Sequence, residues 1–357
     1  MRFIFKTKYD QDVRLFQHGG QVFWYGLLGV LLLAAPYLVS GYVLSQLHFI
    51  CIYAIAGFGL MLLVGYTGQI SLGHAAFLAT GAYTEALLQA AGMPFVVSLA
   101  SAALFSAAVG IIVGLPALRL KGIYLAIATF AFNVIVEEII TRWESVTGGN
   151  SGKLLKPIDL FGWRLSSPES FYYLCLVLTV LACLALVNLL RAPTGRAFVA
   201  IRDSEVSASC MGINLARYKT MSFALSAALT GIGGALYAHK VGFISPEQFT
   251  LIQSIELVAL VIIGGVGSLH GAVFGAAFII VLPQGISIAK DYLPDAMPQA
   301  GVQSVVFGLI LIGFIIFEPY GIYGRWLKIR TYFDVFPFYR RGTFRRQRSY
   351  LRSERLR

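Results

Sequence analysis

The chain has 357 residues, of which 57% are hydrophobic and only 13% are charged, and it carries a formal net charge of +11. Soluble domains carry roughly 25% charged residues, so this chain lacks the polar side chains needed to coat a water-soluble globule. Intrinsic disorder is excluded, since it requires low hydrophobicity. The four cysteines have no spacing typical of a disulfide framework or a zinc site. The composition therefore predicts an all-α polytopic membrane protein.

Apolar runs along the chain predict about ten transmembrane helices, because each crossing takes about 20 apolar residues. The region 251–282 is too long for one helix and is interrupted by glycines, so it is interpreted as two short helices joined by a turn. We expect the first run to be a span rather than a cleaved signal peptide, since Asp10 and Asp12 precede it and no Ala-x-Ala site follows. Besides the region 251–282, the apolar runs lie at residues 22–40, 47–64, 75–91, 95–114, 123–140, 171–190, 221–241 and 302–317.

The distribution of basic residues predicts that both termini are cytoplasmic. With the N-terminus inside, 22 of the 28 Lys and Arg residues fall in cytoplasmic segments, and the opposite orientation reverses the ratio. This predicts a cytoplasmic segment at 1–21, a transmembrane domain at 22–318 with a cytoplasmic loop at 191–220, and a basic cytoplasmic tail at 319–357. Beside a membrane helix, such a tail is expected to bind anionic lipid headgroups rather than nucleic acid.

The chain lacks the motifs of an enzyme or an ATPase. The nearest approach to a Walker A loop has Thr147 at the first glycine position and Leu154 in place of Ser or Thr, and the five histidines form no HExxH motif. We therefore expect no catalytic residue, metal site or bound cofactor. Glu85 and Glu256 fall within predicted spans, where a carboxyl group serves either a proton or substrate pathway or a structural hydrogen bond. The structural role is favoured for Glu85, and both stay open for Glu256.

Between the second and third spans, a segment rich in glycine predicts a broken helix. Non-helical backbone at membrane depth is tolerated where protein or a watery cavity satisfies its polar groups, and transporters use such breaks to present polar groups to substrate. The alternative is a tight turn at the inner surface. A similar pattern after residue 263 indicates a possible internal duplication. The helix-breaking residues are Gly65, Gly68, Gly73, Gly264, Gly265 and Gly267, and the polar residues of the first segment are Thr67, Gln69, Ser71 and His74.

The loop at residues 191–219 predicts a short cytoplasmic helix between two membrane helices. Pro193 and Gly195 end the preceding span, Asp203 or Ser204 caps the short helix, and Gly212 terminates it. Asn214 can cap the next helix. Because both ends are attached to membrane helices, a partner that grips this element can tilt them as a rigid body. The alternative is an amphipathic loop lying on the membrane surface.

Long stretches of the chain resemble the permease subunits of ATP-binding-cassette importers for branched-chain amino acids, specifically the M-type member of the pair. The resemblance covers about residues 45–325. The stretches that carry it are GYTGQISLGHAAFLATGAY, ALRLKGIYLAIATFAF, TGGNSG, GRAFVAIRDSEVSASCMGINLARYK, ALSAALTGIGGALYAH, ISPEQF and GGVGSLHGAVFGAAF.

The resemblance implies a type II importer-like fold in the bacterial cytoplasmic (inner) membrane. It also implies a heterodimer with a homologous second permease, two ATPase subunits that bind ATP and Mg²⁺, and a periplasmic or lipid-anchored solute-binding protein. The short loop helix would then be the coupling helix to the ATPases, with Gly195, Arg196, Arg202, Asp203, Ser204, Glu205, Ala208, Met211 and Gly212. Candidate transport-pathway residues are Thr67, Gln69, Ser71 and His74, with Thr129, Asn133 and Glu256 as further candidates.

Two alternatives to a leucine, isoleucine or valine importer stay open at this stage. Related permeases carry urea, amides or aromatic acids, and neither composition nor spacing separates these solutes. A secondary carrier driven by protons or sodium ions through Glu256 or Glu85 would need neither an ATPase nor a coupling helix. A membrane enzyme or an assembly scaffold has no supporting constellation of residues.

Overall fold

The computed structural model describes residues 19–120, 122–160, 163–165, 167–290, 299–318 and 320–335. Most of the predicted segment 1–21 and of the predicted tail 319–357 therefore lies outside the described residues. The helices are α1 Gly19–Leu38, α2 Gly41–Leu60, α3 His74–Ala90, α4 Phe95–Ala117, α5 Ile123–Arg142, α6 Glu144–Thr147, α7 Pro168–Arg191, α8 Pro193–Asp203, α9 Glu205–Cys210, α10 Leu215–Val241, α11 Leu251–Gly264, α12 Leu269–Lys290, α13 Gln299–Phe317 and α14 Gly321–Val335.

Shorter elements join these helices. A π-helical turn, Met61–Tyr66, extends α2, and 3₁₀ turns lie at Gly149–Ser151 and Pro246–Phe249. The strands are β1 Lys153–Leu154, β2 Ile158–Leu160, β3 Trp163–Leu165 and β4 Phe243–Ile244. Strand β1 pairs antiparallel with β4, and β2 pairs antiparallel with β3.

Among the residues that the structure describes, eight helices are long and apolar enough to cross a membrane. They are α1, α2 with its π-helical turn, α4, α5, α7, α10, α11 with its preceding 3₁₀ turn, and α12. Helix α3 has 17 residues, and α13 contains the shorter apolar stretch Val305–Phe314. The all-α polytopic architecture is confirmed. The count of ten spans and the cytoplasmic position of the termini stay predictions.

Helix α10 lies at the centre of the bundle and packs against α2, α3 and α4. Small residues allow these backbones to approach closely, as is usual between membrane helices. A Cβ atom on Gly81 would lie 2.1 Å from the carbonyl oxygen of Gly231, and one on Gly234 would lie 2.0 Å from that of Leu78. The close contacts hold α3 against α10, and this pairing positions the polar residues described below.

Loops that connect the membrane helices contact one another at both ends of the bundle. At one end Gly65 packs against Gly267, and Gly321 at the start of α14 packs against Gly265. The other end holds the β1–β4 pair, in which Lys153 is opposite Ile244.

Candidate functional site

The predicted break between the second and third membrane helices is present. After the π-helical turn and Thr67, residues 68–73 leave the helical conformation, and Gly68 has a φ of +70°, a value that residues with a side chain rarely adopt. Thr67 Oγ1 donates a hydrogen bond to the Leu63 carbonyl at 2.6 Å, and the Gly73 amide donates to Ser71 Oγ at 3.3 Å. Side chains of the segment thus replace helical hydrogen bonds that the break removes.

The polar side chains of the break form a network with α10. Gln69 Nε2 donates to Ser222 Oγ at 2.9 Å. The His74 ring lies 2.9 Å from Ser71 Oγ through Nδ1 and 2.8 Å from Ser226 Oγ through Nε2. Thr67, Gln69, Ser71 and His74 are all buried. The structure therefore brings the four candidates together inside the protein, and their role in the transport pathway stays a prediction.

Thr129 and Asn133 lie on α5, a further helix beside the same segment. Thr129 Oγ1 accepts a hydrogen bond from the Leu72 amide at 3.0 Å, and both side chains are buried. Ser254 of α11 accepts from the Ala75 amide at 2.9 Å and lies 3.4 Å from Asn133 Oδ1. Within the described part of the chain, Gln69 Oε1 and Asn133 Nδ2 are buried without a hydrogen-bond partner. One acceptor and one donor therefore stay available around the break.

An apolar cavity that is partly open to the protein surface at Ile112 lies beside this network, between α4 and α5. Its volume is about 210 Å³. Thr129 contributes to its wall and also contacts the broken segment, so the cavity adjoins the break. The lining residues are Ile112, Val113, Pro116, Ala117, Leu125, Ala128, Thr129 and Phe132.

The two membrane carboxyl groups occupy different environments. Glu85 is fully buried, and its Oε1 accepts from Ser98 Oγ at 2.7 Å and lies 2.9 Å from His239 Nε2. These contacts join α3, α4 and α10, so the geometry supports the structural role favoured for Glu85. Glu256 of α11 is half-buried. The partners of Glu85 were not anticipated from the sequence.

The predicted loop helix is present, and a second helix precedes it. Ser204 Oγ caps α9 by accepting from the Ser207 amide at 3.2 Å, and Gly212 follows α9 with a φ of +82°. Asn214 caps α10 in the same way, at 3.1 Å. The sequence interpretation missed α8: Pro193 ends α7 but also begins α8, where its missing N–H is harmless.

The residues of α8 and α9 divide into an attached face and an outer face. Lys219 of α10 is almost completely buried, and its Nζ lies 2.6 Å from Glu205 Oε1, which fixes α9 to α10. Gly195 and Ala208 are also buried, and Ser204 is half-buried. The outer face carries Val206, 71% exposed, and Met211, 84% exposed. The other predicted coupling residues are exposed: Arg196, Arg202, Asp203 and Gly212.

The second glycine turn joins α11 to α12, as predicted. Gly265 and Gly267 have φ values of +117° and +86°. Gly264 packs so closely on α12 that a Cβ would lie 1.9 Å from the Gly271 carbonyl oxygen. Ser268 Oγ accepts from the Gly271 amide at 2.9 Å and caps α12.

The sequence matches known transport proteins over most of its length. The family described as "Branched-chain amino acid transport system / permease component" matches residues 42–315. The high-affinity branched-chain amino acid transport system permease protein LivM of Escherichia coli (strain K12) is 34% identical over 319 residues, covering 82% of this chain and 72% of that protein. LivH of Salmonella typhimurium is 25% identical over 296 residues, covering 76% and 91% respectively. No solved structure matches the chain.

Proposed function

The chain belongs to the family of branched-chain amino acid transport system permease components, and from that premise we propose that it is the M-type half of a heterodimeric importer. It is a multi-pass membrane permease, and its homologues include both LivM and LivH proteins. The existence of two homologous permease types supports a heterodimer with a second, LivH-like subunit. The proposed location is the bacterial cytoplasmic membrane.

The proposed energy source is ATP hydrolysis by two separate ATPase subunits, which bind the nucleotide and Mg²⁺. The observation that carries this proposal is the helix pair α8–α9, which is attached to membrane helices at both ends and exposes Val206 and Met211. An exposed apolar pair, one residue on α9 and one directly after it, is suited to insertion into a partner's surface. Movement of the ATPases would then tilt α7 and α10 through this pair.

The proposed substrates are leucine, isoleucine, valine or related neutral amino acids, delivered from outside by a solute-binding protein. The names of the relatives support this substrate class. The cavity between α4 and α5 supports it as well, since its apolar lining suits an aliphatic side chain better than urea or a small amide. Gln69 and Asn133 are the proposed polar residues of the pathway nearby.

We also propose that the basic C-terminal region binds anionic lipid. Within the described residues, α14 combines exposed Arg325 and Lys328 with exposed Trp326. A helix with both basic and aromatic side chains is suited to the surface of a membrane, where the basic groups bind anionic headgroups and the aromatic groups enter the interface.

Affinity purification of the tagged chain from its native membrane in mild detergent tests the proposed assembly. Mass spectrometry of the eluate is expected to identify a second permease and an ATPase with a Walker A loop. Purification of the chain alone, or only with copies of itself, would contradict the importer assembly.

A further inference from the structure

Arg202, the penultimate residue of α8, lies where three parts of the fold meet. Its Nη1 atom donates a hydrogen bond to the Gly65 carbonyl at 3.0 Å. A Cβ atom on Gly68 would lie 3.1 Å from Arg202 Cγ, and one on Gly267 would lie 3.6 Å from Arg202 Nη1. The Arg202 side chain is therefore bonded to the end of the helix before the break and lies beside both glycine turns, namely the broken segment and the α11–α12 turn.

The guanidinium group is held in a defined orientation. Asp203 Oδ1 accepts hydrogen bonds from Arg202 Nε at 3.1 Å and from Nη2 at 3.0 Å. The Asp203 carboxylate thus binds one edge of the planar group, while Nη1 points to Gly65. A lysine ammonium group is a single point charge on a flexible stem, so it cannot bind the Asp203 carboxylate along one edge and the Gly65 carbonyl with a separate nitrogen.

The acceptor lies at a favourable position for a cation. Gly65 is in the last turn of the helix formed by α2 and its π-helical turn. Carbonyl groups in a last helical turn lack intrahelical partners, and the helix dipole places partial negative charge there. Arg202 therefore caps the C-terminal end of α2, the helix that leads into the break.

The two glycine turns are themselves in contact beneath Arg202. A Cβ atom on Gly65 would lie 2.8 Å from the Gly267 amide nitrogen, and that amide donates a hydrogen bond to Met61 Sδ at 3.2 Å. The two turns are therefore closely packed at this point. A displacement of Arg202 would reach both turns together.

We propose that Arg202 is a positioning residue that transmits movement of the helix pair α8–α9 to both glycine turns: the break at residues 68–73 and the α11–α12 turn. This inference rests on the proposed function, since it requires ATPases that move α8–α9. It places the transmission in a side-chain contact inside this chain, in addition to tilting of α7 and α10.

The test uses the complete importer reconstituted in liposomes, with its second permease, ATPases and solute-binding protein. Leucine uptake and ATP hydrolysis are measured in the same vesicles for the wild type and for Arg202→Gln, Arg202→Lys and Asp203→Asn. Arg217→Gln is the matched control, because Arg217 is an exposed arginine at the start of α10 on the same side of the bundle.

For Arg202→Gln, we expect ATP hydrolysis within about twofold of wild type and uptake per ATP lower by a factor of about ten, the size of a typical coupling energy. Arg202→Lys and Asp203→Asn are expected to fall between Arg202→Gln and wild type, and Arg217→Gln to match wild type. A merely structural role would lower assembly, hydrolysis and uptake together, and would leave their ratio unchanged.

Three results would overturn the inference. Arg202→Gln and Asp203→Asn could both keep the wild-type ratio of uptake to hydrolysis, or both variants could lose the ATPase subunits, or Arg217→Gln could lose coupling as strongly as Arg202→Gln. Failure of the proposed function gives a different result, because the wild-type complex itself would then show no ATP-dependent leucine uptake.

Discussion

His74 Nε2 lies 2.8 Å from Ser226 Oγ, although 152 residues separate the two positions in the chain. Ser226 Oγ also donates to the Gly59 carbonyl at 2.7 Å. One hydroxyl group on α10 thus connects the first residue of α3 to a backbone carbonyl of α2. The two helices on either side of the break are held together through α10.

Ser226→Ala is therefore expected to destabilise the protein. The substitution leaves the Gly59 carbonyl and one His74 nitrogen buried without this partner, which costs about 1–3 kcal/mol. Thermal unfolding of the detergent-purified protein should show a lower Tm. Ser209→Ala, at an exposed position on α9, is the control and should leave the Tm unchanged. Equal Tm values for the two variants would contradict the structural role of Ser226.

Gly68→Ala is expected to reduce leucine uptake more than Gly92→Ala does. Both glycines have positive φ values, +70° and +81°, so both substitutions carry a similar backbone cost of roughly 1–2 kcal/mol. A new Cβ at Gly68 presses on Arg202, whereas one at Gly92 has no neighbour within 4 Å. Uptake assays on equal amounts of membrane-inserted protein separate the effect of backbone strain from the effect of contact with Arg202. Equal loss in both variants would show that backbone strain alone is responsible.

Ala128→Phe is expected to impair uptake by filling the cavity between α4 and α5. Ala128 lines this cavity, whereas Ile127 on the same helix is 56% exposed and does not. A misfit in an apolar binding site lowers transport by at least about tenfold. Ile127→Phe, the matched control, should transport normally. If Ala128→Phe transports leucine at the wild-type rate, the cavity does not take up the substrate's side chain.

The double variant Val206→Glu, Met211→Glu is expected to lose the ATPase subunits during purification. Burial of two carboxylates in an apolar contact opposes association, whereas the fold tolerates the change because both side chains are exposed. Leu154→Glu adds a carboxylate at a residue that is 83% exposed at the other end of the bundle, and it should keep the ATPases. If the double variant retained the ATPases, α9 would not be part of the surface on which they dock.

Local features of the fold were predictable from the sequence because glycine and capping residues act over a few positions. The break after Thr67 and the turn at Gly267 were predicted from residue type, and Ser204 was one of the two predicted positions for the cap. Helix α8 was missed because Pro193 was taken only as a helix terminator, although proline is also favoured in the first turn of a helix.

Contacts between distant helices were not predictable in the same way. Most membrane helices here are apolar on every face, so no amphipathic pattern shows which side meets a neighbour. The pairing of Glu85 with His239 and of Arg202 with Gly65 depends on that packing. One usable signal was overlooked: Ser222, Ser226 and Thr230 recur every four residues and therefore share one face of α10.

Leucine uptake into liposomes that contain the complete importer tests the central claim most directly. Uptake is expected to require ATP on the side of the membrane that carries the ATPases and the solute-binding protein on the opposite side. It is also expected to persist after an ionophore has abolished the proton gradient. Glu256→Gln should retain this uptake. If the chain instead transported leucine without ATPases, driven by a proton gradient and abolished in Glu256→Gln, it would be a secondary carrier and the importer account would be wrong.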